Sequence, residues 1–196
     1  MNNGFIYVGT DKLISILKWL NIIELIKIIV WKASKASTSK RNCNIAIDVF
    51  IISKYVLVLL LWAKCVNNIC ATSIVVYLIL SNIFVYFYYH IWKSRISDQD
   101  HAKRKFINLI TSIAFMIICY GYLYCIPFAS QFKWTLIDGH VWFAATRLSI
   151  SNSFTLSAEV APITLFSQTL VLSQQVISFG FIAIILSQSI PTKEVP

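Results

Sequence analysis

The sequence predicts an all-α membrane protein with four transmembrane helices, a re-entrant pore helix and loop before the last of them, and an N-terminal interfacial helix. Of the 196 residues, 58% are hydrophobic and 13% are charged, which leaves too little polar surface for a soluble domain of this size. The apolar segments are continuous, without the alternation that transmembrane strands require. Glycine and proline number only 5 and 4, which also favours helices over a barrel.

The net charge of +9 is explained by the membrane class. The lysines and arginines lie mainly between the apolar runs, where they set the orientation of the spans. The chain has no base-reading motif and no basic–aromatic stretch of the kind found in nucleic-acid-binding domains. We therefore expect the lipid bilayer, and not nucleic acid, to be the partner of this chain.

Residues 1–41 are predicted to be a basic cytoplasmic leader that contains one interfacial helix. Its apolar stretch LISILKWLNIIELIKIIVW, residues 13–31, is interrupted by Lys18, Glu24 and Lys27. Burial of each charge near the bilayer centre would cost about 2.5–3.5 kcal/mol, so we expect this helix to lie along the interface. The polar stretch Lys32–Arg41 is predicted to be a linker.

Four later segments are long and apolar enough to be membrane spans. They are Ile45–Ala63, Ala71–Trp92, Phe106–Phe128 and Ile163–Ile190. The first two spans and the loop after them form a predicted unit of residues 42–105, and the last two form a pore-domain-like unit of residues 106–196. Lys54 lies within the first span, where we expect it to snorkel to the interface or to pair with a polar group on a neighbouring helix.

The distribution of lysine and arginine predicts the orientation of the spans. The leader and the loop Lys93–Lys105 together carry about a dozen of these residues, so both are expected to be cytoplasmic. The third span then ends outside and the tail, with Lys193, ends inside, in a multi-pass protein of a bacterial inner or plasma membrane. This parity allows one crossing after Phe128, so Ala129–Pro162 is expected to enter the membrane and return. Non-helical backbone at that depth is tolerated where it lines a water-filled cavity or is buried in protein, which indicates a pore.

The polar stretch before the last span carries a family resemblance. FTLSAE is followed three residues after its acid by Pro162, and then by ITLFSQTLVLSQQ. The region Phe154–Leu186 resembles the pore domain of tetrameric potassium channels, in the form common among small bacterial ion-channel proteins, where a filter of the kind T-V-G-Y-G-D precedes the inner helix. The filter-like residues are Phe154, Thr155, Leu156, Ser157, Ala158 and Glu159. Gln174 falls in register with the inner helix, Ser178 stands at the hinge glycine, and Gly180 follows two residues later.

The resemblance implies an outer helix at Phe106–Phe128, a pore helix at Trp142–Ser153, and a homotetramer, because one chain supplies only one wall of such a pore. Leu156 and Ala158 replace the two filter glycines and resist the backbone angles that glycine allows, so no standard potassium filter is expected. Three outcomes fit this sequence: a weakly selective pore for monovalent cations with a ring of Glu159, a closed scaffold that does not conduct, or an ordinary external loop before a helix.

The five cysteines suggest a different hypothesis. Cys65 and Cys70 flank the predicted external loop, and Cys119 and Cys125 lie in the outer half of the third span. Two external pairs are similar to those of quinone-coupled membrane thiol oxidases, which work by thiol–disulfide exchange, although the spacings here are wider than C-x-x-C. The simpler alternative is that these cysteines are small buried hydrophobes in a membrane structural or accessory protein.

Other signs of enzymatic chemistry are weak. The three histidines lie far apart without metal-ligand spacing, and the chain has no phosphate-binding glycine loop. We therefore predict that the chain is not an enzyme and has no catalytic residue, cofactor or metal ligand. The channel-like function is the main prediction, with a thiol–disulfide oxidoreductase and an accessory protein as the alternatives.

Overall fold

The computed structural model describes residues 12, 21–33, 39–87, 99–134, 141–156 and 160–189. Within these ranges the chain forms six α-helices, one 3-10 turn at Ala129–Gln131 and two short strands. The helices are α1 (Ile22–Ala33), α2 (Ser39–Ala63), α3 (Ile69–Phe87), α4 (Gln99–Cys125), α5 (Val141–Ser153) and α6 (Leu165–Ser189). The strands are β1 (Phe132–Lys133) and β2 (Ala161–Pro162).

Four of these helices are long and apolar enough to cross a membrane, as the sequence predicts. The candidate spans are Ile45–Ala63, Ile69–Phe87, Phe106–Cys125 and Leu165–Ile184. The third span differs from the prediction, because α4 begins at Gln99, inside the predicted loop, and ends three residues before Phe128. Its end is explained by Pro127, since the residue before a proline is disfavoured in helical geometry. The predicted end of the second span, Trp92, lies outside the described residues.

The structure describes only the later part of the predicted N-terminal helix, from Asn21 onward. Helix α1 begins at Ile22, and residues 13–20 lie outside the described ranges. The predicted linker Lys32–Arg41 is too long, because Lys32 and Ala33 complete α1 and α2 already begins at Ser39. The position of α1 at a membrane interface remains a prediction.

The chain divides into two compact units, and the first comprises residues 1–57 and 77–97. Within it Lys54 is buried, and its Nζ donates a hydrogen bond of 2.7 Å to Oδ1 of Asn82 on α3. Nearby in sequence, Ser81 Oγ lies 3.5 Å from Oδ1 of Asn21, and both side chains are buried. Of the two predictions made for Lys54, pairing with a neighbouring helix is confirmed and snorkelling is wrong, because an amide meets the buried ammonium.

The second unit comprises residues 58–76 and 98–196, and its core is formed where α4, α5 and α6 meet. The last two turns of α4 are buried on every side, since every residue from Cys119 to Cys125 is buried. Phe115 and Met116 extend this core by one turn, and Phe181 contributes to it from α6. Helix α4 is therefore the central element on which the two later helices pack.

The two strands connect the chain before α5 to the chain after it. They pair antiparallel, with Phe132 opposite Pro162 and Lys133 opposite Ala161. Immediately beyond the strands, the backbone N–H of Ile163 donates to the carbonyl oxygen of Gln131 at 2.9 Å. The segment that contains α5 thus begins and returns at one position, directly before α6.

A side-chain cap begins α6 at this same position. Thr164 Oγ1 accepts a bond of 3.2 Å from the N–H of Ser167, and Ser167 Oγ accepts one of 3.1 Å from the N–H of Thr164. Such reciprocal bonds satisfy N–H groups that a helix start leaves without partners. Thr164 Oγ1 also donates to Oε1 of Gln131 at 2.7 Å, so the cap ties the start of α6 to the 3-10 turn.

Candidate functional site

A buried polar network joins α5 to both of its neighbours, and Gln174 of α6 is its centre. Gln174 is fully buried. Its Nε2 lies 2.8 Å from the carbonyl oxygen of Ser149, 2.9 Å from Oγ of Ser149 and 2.9 Å from Oγ of Ser153. On its other side, Oε1 accepts a hydrogen bond of 2.6 Å from the hydroxyl of Tyr124. One amide therefore connects three helices.

Further hydrogen bonds on α5 and α4 satisfy the other polar side chains of this network. Asn152 Nδ2 donates to the hydroxyl oxygen of Tyr124 at 3.3 Å. Ser149 Oγ donates to the carbonyl oxygen of Ile117 at 2.8 Å, and Ser153 Oγ donates to that of Ser149 at 2.9 Å. Because a buried polar group without a partner costs about 1–3 kcal/mol, a satisfied network of this kind fixes the register of the helices.

The local sequence explains why α5 presents this polar face. Ser149, Asn152 and Ser153 follow the spacing i, i+3, i+4, which places them on one side of a helix. All three side chains are buried, whereas Phe143 and Ile150 on the other side are exposed. Buried polar side chains near the end of a helix that exposes large apolar ones are the reverse of the usual pattern in a soluble protein.

The inner-helix residues selected from the sequence lie in different environments. Gln174 lies in the three-helix network, while the adjacent Gln175 is half-buried. Ser178 is buried and Gly180 is half-buried, one and two turns further along α6. The structure therefore brings Gln174 to α5 and does not bring Ser178 or Gly180 to the same contacts.

Three of the six filter-like residues are described, and they form the turn that ends α5. Thr155 has a left-handed backbone with φ of 54°. The N–H of Leu156 donates to the carbonyl oxygen of Ser151 at 2.8 Å, and that of Thr155 to Asn152 at 3.4 Å, which is the Schellman pattern of a helix end. Phe154, Thr155 and Leu156 are all exposed. Ser157, Ala158 and Glu159 lie outside the described residues.

The end of α2 packs on α4 near the start of α5. Trp62 is buried and lies directly over Gly121, since a Cβ added to Gly121 would be 2.5 Å from Trp62 Cη2. The ring of Trp62 also contacts that of Trp142, with centroids 4.7 Å apart. After the helix, the carbonyl oxygen of Val66 accepts a bond of 2.7 Å from the hydroxyl of Tyr122. The loop between α2 and α3 is thereby held on the last turns of α4.

An open groove of about 760 Å³ lies beside this contact. Cys65 of the loop forms one part of its lining, and Cys125 at the end of α4 and Ala129 of the 3-10 turn form another. Trp142 and Thr146 contribute the first turns of α5. The lining is mostly apolar, so the groove suits hydrocarbon better than a charged ligand.

The structure distributes the cysteines differently from the two pairs considered in the sequence. Cys65 and Cys70 are exposed, whereas Cys119 and Cys125 are buried. The two that line a common groove are Cys65 and Cys125, one from each expected pair. Among the residues that the structure describes, no three histidine, cysteine or acidic side chains are grouped closely enough to hold a metal ion.

Several contacts of the site were not predicted from the sequence. The contact of Trp62 with Gly121 and the role of Tyr124 depend on which helices are neighbours, which a single sequence does not reveal. A signal for the network was nevertheless present, because the run SISNS places polar side chains on one face of a helix in an otherwise apolar region.

The comparisons with known proteins add no relative: no family model, no curated protein and no solved structure matches this chain.

Proposed function

We propose that residues 99–189 form the pore-domain-like part of a homotetrameric membrane protein, in which α5 is a re-entrant helix and the chain after it lines a weakly selective path for monovalent cations. The proposal depends chiefly on one observation: Gln174, deep in α6, bonds the last turns of α5, while the strands on either side of α5 pair at the start of α6.

The length of α5 supports a helix that enters the membrane without crossing it. Its 13 residues give a length of about 20 Å. The hydrocarbon core of a bilayer is about 30 Å thick, so a helix of this length could not cross it. By contrast, α4 and α6 have 27 and 25 residues, and each contains a membrane-length apolar span.

The contacts of α5 support a position near the middle of the neighbouring spans. Gln174 lies nine residues after Leu165, or about 14 Å along α6. Ile117, which accepts the bond from Ser149, lies eight residues before Cys125, or about 12 Å along α4. The last turns of α5 would therefore lie at roughly half the membrane depth.

The pairing of β1 with β2 supports a return to the side of entry. Phe132 precedes α5 and Pro162 follows it, and the two face each other across the pair. From Ser153 to Ala161 the chain has eight residues in which to come back, and extended chain spans about 3.3 Å per residue. This is more than enough to cover half a bilayer, so no second crossing is needed.

Non-helical backbone at that depth requires water or protein around it. Phe154, Thr155 and Leu156 are exposed in a single chain, as expected if neighbouring copies or a central water path surround them. Large apolar side chains on α6 are exposed as well, including Leu172, Val176 and Phe179. In a homotetramer these would contact other copies, and the carboxyl end of α5 would direct its negative dipole end toward the path, which favours cations.

Ion flux into liposomes tests the proposed function. Purified protein is reconstituted, and the uptake of K⁺, Na⁺ and Cl⁻ is measured separately. We expect both cations to pass with little discrimination, and Cl⁻ to be excluded. Glu159→Gln is expected to weaken the preference for cations, whereas Asp48→Asn, which removes an exposed acid outside this part of the chain, is not. The absence of flux for every monovalent ion would reject conduction and leave a scaffold.

Topology tests the re-entrant segment separately from conduction. A single cysteine is introduced by Ser151→Cys or by Ser130→Cys in a variant without the native cysteines, and each is treated with a charged, membrane-impermeant thiol reagent from either side. Both positions are expected to react from the same side, with a tag after Pro196 on the opposite side. Reaction of the two positions from opposite sides would mean that the chain between them crosses the membrane, and the proposal would fail.

A further inference from the structure

We infer that Cys65 and Cys125 form a disulfide that fastens the loop between α2 and α3 to the end of α4, beside the first turn of α5. The bond is a modification site and does not depend on the proposed pore. It also differs from the pairs of sequence neighbours, Cys65 with Cys70 and Cys119 with Cys125.

The groove is the first reason for this pairing. Both Cys65 and Cys125 line it, and Cys65 is close enough to act electrostatically on the thiol of Cys125. Both carry free thiols in the structure. Cys70, although exposed, is not part of this lining. Cys119 is fully buried and lies six residues before Cys125 on α4, which turns it to a different face of the helix.

The backbone at Cys65 is the second reason. The N–H of Val66 donates to the carbonyl oxygen of Leu61 at 3.0 Å, and the N–H of Cys65 to that of Trp62 at 3.0 Å, which is the Schellman pattern that ends a helix. Cys65 holds the left-handed position of this motif, with φ of 49°. Glycine is the usual residue there because it has no Cβ to strain, so a cysteine at this position carries a cost that a bond formed by its side chain would offset.

Two neighbouring contacts keep the loop and α4 in position for the bond. The hydroxyl of Tyr122 donates to the carbonyl oxygen of Val66, the residue after Cys65, at 2.7 Å. Trp62 packs against Gly121, one turn before Cys125. The buried indole N–H of Trp62 makes no hydrogen bond within the described part of the chain, and it is near the side chain of Cys125.

A small-molecule disulfide, such as oxidised glutathione, is the oxidant that this chemistry needs. The exposed thiolate of Cys65 attacks one sulfur of the oxidant and releases one small thiolate, leaving a mixed disulfide. The thiolate of Cys125 then attacks the sulfur of Cys65 and releases the second small thiolate. The two protein thiols are oxidised to one disulfide, the oxidant is reduced to two thiols, and the two protons of the protein thiols pass to these products.

Peptide mapping of the intact protein tests the bond without any substitution. The full chain in membranes is treated with oxidised glutathione, blocked with an alkylating reagent, digested and analysed by mass spectrometry. We expect a peptide pair linked through Cys65 and Cys125, which disappears after treatment with dithiothreitol. A link between Cys65 and Cys70, or glutathione adducts on Cys65 with alkylated Cys125, would overturn the inference.

A matched pair of variants checks the assignment. Cys43→Ser/Cys70→Ser/Cys119→Ser keeps only Cys65 and Cys125, and Cys43→Ser/Cys119→Ser/Cys125→Ser keeps only Cys65 and Cys70. After the same oxidation, the first is expected to contain the internal link and the second only glutathione adducts or unreacted thiols. Equal internal linkage in the two variants would overturn the specificity of the pair.

Discussion

Gln174 and Ser149 are joined by two close contacts, since Nε2 of the glutamine lies 2.8 Å from the carbonyl oxygen of the serine and 2.9 Å from its Oγ. The residues are 25 positions apart in the chain and lie on α6 and α5. Through the hydroxyl of Tyr124, the same glutamine also reaches α4. The packing of the three helices of the proposed pore domain thus depends on a side chain that is polar and fully buried.

Gln174→Leu is expected to destabilise the protein by about 1–3 kcal/mol, because it removes the buried acceptor of the Tyr124 hydroxyl and the amide that contacts Ser149 and Ser153. The measurement is unfolding by a denaturing detergent in mixed micelles, followed by circular dichroism. Gln175→Leu is the matched control, since it makes the same change at an adjacent, half-buried position. Equal losses in the two variants would contradict the importance of the network.

Gly121→Ala is expected to destabilise by about 1–3 kcal/mol, because the new methyl group would overlap the ring of Trp62 in a packed interior. Gly180→Ala, in α6, is the control for helix propensity, which alone would stabilise a helix by about 1 kcal/mol. Trp62→Leu removes the ring that the new methyl group would overlap. The double variant Gly121→Ala/Trp62→Leu should therefore lose less stability than the sum of the two single variants, as measured by a double-mutant cycle. Strict additivity of the two substitutions would rule out the contact as the cause.

Asn82→Leu is expected to cost more stability than Lys54→Met, because the first removes the acceptor of a 2.7 Å bond from a buried ammonium group and the second removes that group itself. The difference should be about 1–3 kcal/mol in the same unfolding assay. The double variant Asn82→Leu/Lys54→Met should be more stable than Asn82→Leu alone. Lys64→Met changes an exposed lysine and serves as the control. A double variant less stable than either single one would show that the 2.7 Å bond is not what matters.

Thr155→Gly is expected to stabilise the end of α5 by about 1 kcal/mol, because a β-branched residue in the left-handed region is strained and glycine is not. Thr146→Gly, in the interior of the same helix, should have the opposite effect, by about 0.3–0.5 kcal/mol, because glycine is a weaker helix former than threonine. The two variants are compared by thermal unfolding in detergent. Destabilisation by Thr155→Gly would mean that the threonine side chain adds more stability than the left-handed backbone at this position costs.

The four spans are predictable from the sequence because each is a local property. Twenty or so apolar residues in a row have few alternatives in a bilayer, whatever surrounds them. The helix at Val141–Ser153 is also close to the expected pore helix, Trp142–Ser153. The boundaries of α4 were less predictable, since Gln99 to Lys105 are polar and their helical structure is not required by hydropathy.

The sequence alone determined the membrane class, the approximate spans and the presence of a polar segment before the last of them, because length, hydropathy and charge are written along the chain. Only the tertiary structure decided that Gln174 meets Ser149, that Lys54 pairs with Asn82, and that Cys65 shares a groove with Cys125. These partners are distant in sequence, and their selection depends on which helix faces fit together. Packing and hydrogen bonding between helices determine which faces meet, and these contacts leave no repeating pattern in a single sequence.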